Sequence, residues 1–127
     1  MSPRRIPTLA FAADVIAVVV FAAVGRISHD EAESLSGLLA TAAPFLIGLV
    51  AAWATPLVRA HPVGFRAGAV VLAGTAVLGL LLRAAFTVQL PPLVFVVITV
   101  VSLAVLLIGW RALSLLVSHR ADQRAVR

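Results

Sequence analysis

Four apolar stretches of about 20 residues or more follow one another along this chain, and they constrain its fold more than any other feature. They predict membrane-spanning helices at about 6–25, 35–58, 67–88 and 93–113. At 1.5 Å per residue, each stretch can cross a hydrocarbon core of roughly 30 Å. We therefore predict an all-α, polytopic membrane protein. Its single four-helix domain, 1–127, would end in a basic tail, 114–127, that we expect to fray into solvent.

Composition supports a membrane location. The 127 residues are 62% hydrophobic and the mean hydropathy is +1.13, whereas a soluble domain of this size needs more polar surface. A net charge of +5 would suggest nucleic acid for a soluble protein. Here it predicts basic flanks that contact anionic lipid headgroups, with no nucleic-acid partner. The absence of cysteine excludes disulfides, thiol catalysis and iron–sulfur ligation.

The distribution of arginine predicts the orientation of the helices. Only Arg26 and Arg83 fall on the side opposite the N-terminus. The other eight of the ten basic residues fall on the N-terminal side: Arg4, Arg5, Arg59, Arg66, Arg111, Arg120, Arg124 and Arg127. Positively charged flanks stay on the cytoplasmic side of a membrane. We expect both termini in the cytoplasm and the chain in the cytoplasmic (plasma) membrane.

Three residues have predicted structural roles. Pro44 lies inside the second span, where a missing backbone N–H commonly kinks the helix. Trp53 and Trp110 fall near the cytoplasmic ends of the second and fourth spans, and indole rings favour the headgroup level. A displacement of 57 residues maps Trp53 onto Trp110 and Arg26 onto Arg83. Two such matches in a biased composition are weak support for an internal repeat.

Asp14 is the residue with the strongest functional signal. A carboxylate inside an apolar span costs roughly 2.5–3.5 kcal/mol on insertion scales, so it requires a partner, a proton or water. It could bind a proton or an ion as part of a transport cycle. It could also be a structural acid that is protonated, hydrogen-bonded to a neighbouring hydroxyl, or held in an ion pair. The hydroxyls in reach would be those of Thr41, Thr75, Thr99 and Ser102.

Arg83 is a basic residue about sixteen residues into the third predicted span, and two partners compete for it. Its depth differs from that of Asp14 by about 12 Å at 1.5 Å per residue. It could reach Asp14 through tilt or water, or extend outward to acids of the first loop, Asp30, Glu31 and Glu33. We favour the outward pairing. With Arg26 and His29, Arg83 would then form an outer polar site.

Other chemistries have no support in the sequence. The loop residues from His29 to Glu33 include metal-capable side chains, but their spacing matches no defined metal site. None of the three histidines, His29, His61 and His119, lies inside a span, which argues against a transmembrane haem. We therefore expect no catalytic residues, no metal, no cofactor and no enzymatic activity.

The pattern of motifs resembles a known family. It combines an Asp in the first span with Gly25-Arg26-x-x-His29, Pro44-Phe45, Gly48 and Trp53, followed by Pro62, Gly64, Thr75, Gly79 and Leu82-Arg83. Over residues 8–113 the chain resembles a family of small integral membrane proteins, largely from actinobacteria and some archaea, that is a domain of unknown function. The resemblance implies a four-helix membrane fold. It also implies a shared polar site, for which we predict Asp14, Arg26, His29, Thr75 and Arg83 as binding residues.

The chain is also similar in size, and in the position of Asp14, to four-helix small multidrug transporters. In those proteins a proton and a cationic substrate compete for one acid in the first span. This chain departs from them in its arginine asymmetry and its lack of tyrosine. Two functions follow as hypotheses, a small transporter or channel-like protein that uses Asp14, and a non-transporting accessory subunit of a larger complex. We expect a homo-oligomer or a partner membrane protein in either case.

Overall fold

The computed structural model of the chain describes residues 5–28, 35–88, 90 and 92–126, and these ranges are almost entirely helical. Five helices follow in order: α1 (Arg5–Ser28), α2 (Leu35–Trp53), α3 (Pro56–Ala60), α4 (Phe65–Thr87) and α5 (Leu93–Val126). All but the short α3 are long and apolar enough to cross a membrane. The predicted all-α fold with four candidate transmembrane helices is therefore confirmed.

The second predicted span ends earlier than its hydropathy indicates. We predicted it to run to Val58, but α2 ends at Trp53 and a separate α3 begins at Pro56. Proline lacks a backbone N–H and disfavours helical geometry in the residue before it, and Thr55 is extended (φ −75°, ψ 141°). The Thr55 hydroxyl donates to the Ala52 carbonyl at 2.6 Å, which satisfies an acceptor that the break exposes.

The last helix is longer than predicted. α5 continues to Val126, so most of the basic tail that we expected to fray after 113 is helical. Arginine and alanine, which are frequent in this segment, have high helix propensity, and no proline or glycine interrupts it after Gly109. The span predicted from hydropathy is therefore only the apolar part of a longer helix.

Close packing of α2 against α4 depends on small residues. A Cβ added to Gly48 would lie 2.7 Å from the Gly74 carbonyl oxygen, and one added to Gly79 would overlap the ring of Phe45. Lipid tails are as apolar as leucine, so such close contacts stabilise helix association in a membrane. Pro44 is buried inside α2, which continues as one helix through it.

α1 and α5 each bury one stripe of side chains. On α1 the stripe recurs at three- and four-residue intervals, as expected for one helix face, and consists of Ala10, Asp14, Ala17, Val18, Phe21 and Ala22. On α5 it recurs every four residues and consists of Thr99, Leu103, Leu107 and Arg111. Each stripe therefore includes one charged side chain, and the packing of α1 and α5 brings these two together.

Candidate functional site

The carboxylate of Asp14 is fully buried and accepts hydrogen bonds from three side chains. Its Oδ1 accepts from Trp110 Nε1 and from Arg111 Nη1, both at 2.8 Å. Its Oδ2 accepts from Trp53 Nε1 at 2.9 Å and from Arg111 Nη2 at 2.8 Å. Each oxygen therefore receives two N–H groups. We refer to Asp14, Trp53, Trp110 and Arg111 as the Asp14 cluster.

Arg111 is also fully buried, and its guanidinium is satisfied beyond the carboxylate. Nε donates to the Pro62 carbonyl at 2.9 Å, and Nη1 also donates to the Leu107 carbonyl at 3.0 Å. The guanidinium carbon lies 4.4 Å from the ring centroid of Trp110, which adds a cation–π contact. The fork geometry of arginine suits such bidentate binding of a carboxylate.

A glycine of α4 makes room for the arginine side chain. A Cβ added to Gly68 would lie 3.0 Å from Cδ of Arg111, closer than nearly all real contacts. Pro62, whose carbonyl accepts from Arg111, lies in the turn between α3 and α4. The cluster thus joins α1, α2 and α5 directly, and the turn and Gly68 hold Arg111 from the remaining side.

The chemistry of the Asp14 cluster in this conformation is that of a closed ion pair. An ionised carboxylate offers about four lone-pair positions, and the four N–H donors occupy them. Neither a proton nor a cation can bind Asp14 without displacing a donor. Removing one partner of such a buried pair leaves the other charge uncompensated, which lowers the free energy of unfolding by about 3–5 kcal/mol.

The two tryptophans have a different role from the predicted one. We expected their indole N–H groups at the lipid headgroups, but both donate to Asp14, and Trp53 is buried. An edge-to-face contact with Phe11, at 5.4 Å between ring centroids, further fixes the Trp53 ring. Position near a helix end favoured the headgroup interpretation. The competing acceptor could be identified only from the packing.

The partners proposed for Asp14 are corrected by the ion pair. Arg111, which we had counted as a cytoplasmic flanking residue, takes the position considered for Arg83. Its sequence signal is the four-residue spacing from Leu103 and Leu107, which puts it on the buried stripe of α5. We chose a basic partner for Asp14 by its depth in the membrane. Arg111 lies near the predicted end of its span, so this criterion did not select it.

Among the predicted binding residues whose side chains the structure describes, Asp14, Thr75 and Arg83 do not form one site. Arg83 lies with Gly25 in the wall of a cavity, and Gly25 is about 16 Å further along α1 than Asp14 at 1.5 Å per residue. Thr75 is buried where α4 meets Gly48 of α2. The side chain of Arg26, all of His29 and the acids proposed to pair with Arg83 lie outside the described residues.

A cavity of about 740 Å³ separates α1 from α5 at the end of the bundle away from Asp14. We call it the lateral cavity. Its wall is mainly apolar and is formed by the second half of α1 and the first half of α5, with contributions from α2 and α4. The polar side chains in the wall are Thr41, Arg83, Thr99 and Ser102. The guanidinium carbon of Arg83 lies 4.9 Å from the ring centroid of Phe95.

The chain matches the family described as "Protein of unknown function (DUF3054)" over residues 11–114. It belongs to this family. The resemblance inferred from Asp14 and the later motifs is therefore confirmed, and the family gives no activity to transfer. The chain has no match among curated proteins or among solved structures. Any functional inference must consequently come from the Asp14 cluster and the lateral cavity themselves.

Proposed function

We propose that this chain is a small transporter of the cytoplasmic membrane in which the Asp14 cluster is a gate and Asp14 exchanges Arg111 for a proton or an ion. The observation that carries the proposal is the buried, bidentate pair of Asp14 and Arg111. Both termini would lie in the cytoplasm, so the gate would be on the cytoplasmic side. Transport, and not catalysis, is the activity that we propose.

The asymmetry between the two ends of α1 and α5 supports this proposal. Near Asp14 the two helices are held together by three hydrogen bonds, two of which belong to the ion pair with Arg111. In the other half of the bundle the same helices are separated by the lateral cavity. A gate that is closed in this conformation has such an arrangement, and opening it would require the ion pair of Asp14 and Arg111 to separate.

A substitution of Asp14 alone cannot test the gate. Asp14→Asn leaves Arg111 buried without a counter-charge, so loss of activity would follow from loss of folding as well. The informative variant is the double substitution Asp14→Asn, Arg111→Gln, which removes both charges. Because neither charge is then left buried without its partner, the double variant avoids the main cost of breaking the pair.

Movement of the gate can be measured with single cysteines, because the chain has none. Ala17 is buried one turn beyond Asp14, and its neighbour Ile16 faces outward. A membrane-impermeant maleimide is added to the side nearest Asp14, in cells and in inverted vesicles. We expect Ala17→Cys to react measurably, and faster when combined with the double substitution. Ile16→Cys, which faces hydrocarbon, is the matched control and should not react.

Ion movement is then tested in proteoliposomes that contain a pH-sensitive dye. We expect an imposed pH gradient to decay faster with the wild-type chain than with the Asp14→Asn, Arg111→Gln variant at equal protein content. Equal decay, together with an Ala17→Cys that reacts no faster than Ile16→Cys, refutes the gate. A stoichiometric second protein in native mass spectrometry would then favour the accessory-subunit hypothesis, whereas a homo-oligomer is expected for the transporter.

A further inference from the structure

The lateral cavity is accessible from the hydrocarbon phase of the membrane. Several residues in its wall also have outward surface, including Val20 and Val24 on α1 and Val94 and Ile98 on α5. These side chains are apolar and lie on helices that can cross a membrane. The gap between α1 and α5 therefore faces lipid, and a membrane component is the molecule at highest local concentration.

The size and chemistry of the cavity fit an elongated apolar group. Its volume of about 740 Å³ is in the range of roughly 300–1,000 Å³ that ligand pockets occupy. Most of its wall is provided by aliphatic and aromatic side chains, among them Phe21 and Phe45. An acyl chain matches such a wall because it requires no hydrogen-bond partners.

A positive charge lies in the wall of the same cavity. Arg83 belongs to the last turns of α4, which places it toward one end of its span. A guanidinium has five N–H donors, so it can bind an anionic head group in addition to the contacts that it already makes. Arginine is well suited to phosphate and carboxylate oxygens, which it can bind in a bidentate way.

A buried hydroxyl adds a second polar feature. Thr99 lies in the cavity wall, is fully buried, and its Oγ1 has no hydrogen-bond partner within the described residues. An unsatisfied buried hydroxyl is costly and requires an explanation. Threonine in a helix has two accessible χ1 rotamers, and a rotation could turn this hydroxyl toward an oxygen in the cavity.

We infer that the lateral cavity binds one acyl chain of an anionic phospholipid, with the lipid's phosphate at Arg83 and its ester oxygens toward Thr99. Apolar lining, access from hydrocarbon, the positive charge and the unsatisfied hydroxyl each agree with this occupant. The inference goes beyond the proposed gate, because lipid can bind whether or not Asp14 and Arg111 separate. If the chain is a transporter, such a lipid would be its substrate or a regulator.

The test is native mass spectrometry of the full chain in a mild detergent with added phosphatidylglycerol or phosphatidylcholine. We expect one tightly bound phosphatidylglycerol, and affinity roughly fivefold lower for phosphatidylcholine, since one arginine near a membrane surface contributes about 1 kcal/mol toward an anionic lipid. Arg83→Gln should abolish this preference. Arg66→Gln, which changes an exposed arginine outside the cavity, should leave it intact.

A cavity-filling variant separates this site from lipid on the outer surface of the bundle. Ser102→Phe places a ring in the cavity, whereas Val97→Phe adds the same ring to an outward position of α5. We expect only Ser102→Phe to reduce retention of both lipids, by tenfold or more. Equal retention by the two phenylalanine variants refutes the inference. A lipid-free dimer that Ser102→Phe dissociates also refutes it, because a second copy would then occupy the cavity.

These outcomes are distinguishable from failure of the gate. The Asp14 cluster contains the two tryptophans of the chain, so intrinsic fluorescence reports on the gate and not on the cavity. If Ser102→Phe loses lipid while its tryptophan emission matches that of Val97→Phe, the cavity site is established independently. A shift of emission in Ser102→Phe that accompanies loss of lipid would show that the variant perturbs the cluster. In that case Arg83→Gln, with its emission unchanged, is the deciding variant. Loss of the preference for phosphatidylglycerol supports the inference, and an unchanged preference refutes it.

Discussion

The two ends of the α1–α5 contact differ in whether their buried polar groups have hydrogen-bond partners. Around Asp14, charged and indole groups meet in an apolar bundle and satisfy one another without solvent. Around the lateral cavity, the hydroxyl of Thr99 is buried without a partner in the described part of the chain, and residues of α1 and α5 line an open volume. In the first region the four N–H donors satisfy the carboxylate, whereas the second contains space beside a hydroxyl that has no partner among the described residues.

This difference shows why a polar residue within an apolar span is not by itself a binding site. Asp14 has the stronger sequence signal, but its four acceptor positions are occupied by N–H donors. Thr99 has almost no sequence signal, yet its hydroxyl has no partner among the described residues and lies in the wall of the lateral cavity. The partners that a group already has, and the volume next to it, indicate where a ligand can bind.

The largest effect should come from breaking the Asp14 pair on one side only. Arg111→Gln is expected to reduce the free energy of unfolding by about 3–5 kcal/mol, because Asp14 would be left as a buried unpaired charge. Adding Asp14→Asn should recover most of that loss. Unfolding of the single and double variants in detergent, followed by circular dichroism, measures this. Additive losses in the double variant would contradict a direct pair.

The tryptophan substitutions should have a smaller effect within the same region. Trp53→Phe and Trp110→Phe each remove one hydrogen bond to a carboxylate, which is expected to cost roughly 1.5–3 kcal/mol. Trp110→Phe also weakens the aromatic face beneath Arg111. The same unfolding experiment provides the measurement. We expect either tryptophan substitution to lower the free energy of unfolding less in the Asp14→Asn, Arg111→Gln variant than in the wild type. Such coupling is required if the four residues form one cluster.

At the lateral cavity we expect a substitution to raise the free energy of unfolding and not to lower it. Thr99→Val replaces an unsatisfied buried hydroxyl with a methyl group of similar volume, so we expect stability in lipid-free detergent to rise by up to about 1 kcal/mol. Thr75→Val, at the other buried hydroxyl without a partner in the described residues, is a matched comparison away from the cavity. A loss above that size for Thr99→Val would mean that its hydroxyl is already satisfied.

The smallest effect is expected at Arg83. Arg83→Gln should alter the lipid-free stability by less than about 0.5 kcal/mol, like Arg66→Gln, because its side chain is partly exposed. Parallel unfolding curves of the two variants give this comparison. A loss as large as that of Arg111→Gln would show that Arg83 belongs to a second closed ion pair, and the contrast between the two regions would disappear.

Much of the architecture was predictable from local sequence. Span lengths and hydropathy predicted four helices because an apolar helix of about 20 residues is the stable form in hydrocarbon. The break at Pro56 was missed, since hydropathy is insensitive to a missing backbone N–H. The extended α5 was missed because polar helical residues resemble a frayed tail in a hydropathy profile.

Hydropathy and composition alone indicate a four-helix membrane protein, and they imply that Asp14 needs a compensating partner because burial of a carboxylate in an apolar span has a high cost. The packing of the helices identifies this partner as Arg111, together with Trp53 and Trp110, and shows that the lateral cavity lies beside Arg83. Position along a span gives depth alone. The rotation of each helix and its choice of neighbours determine which side chains meet, and these depend on close packing across the whole bundle.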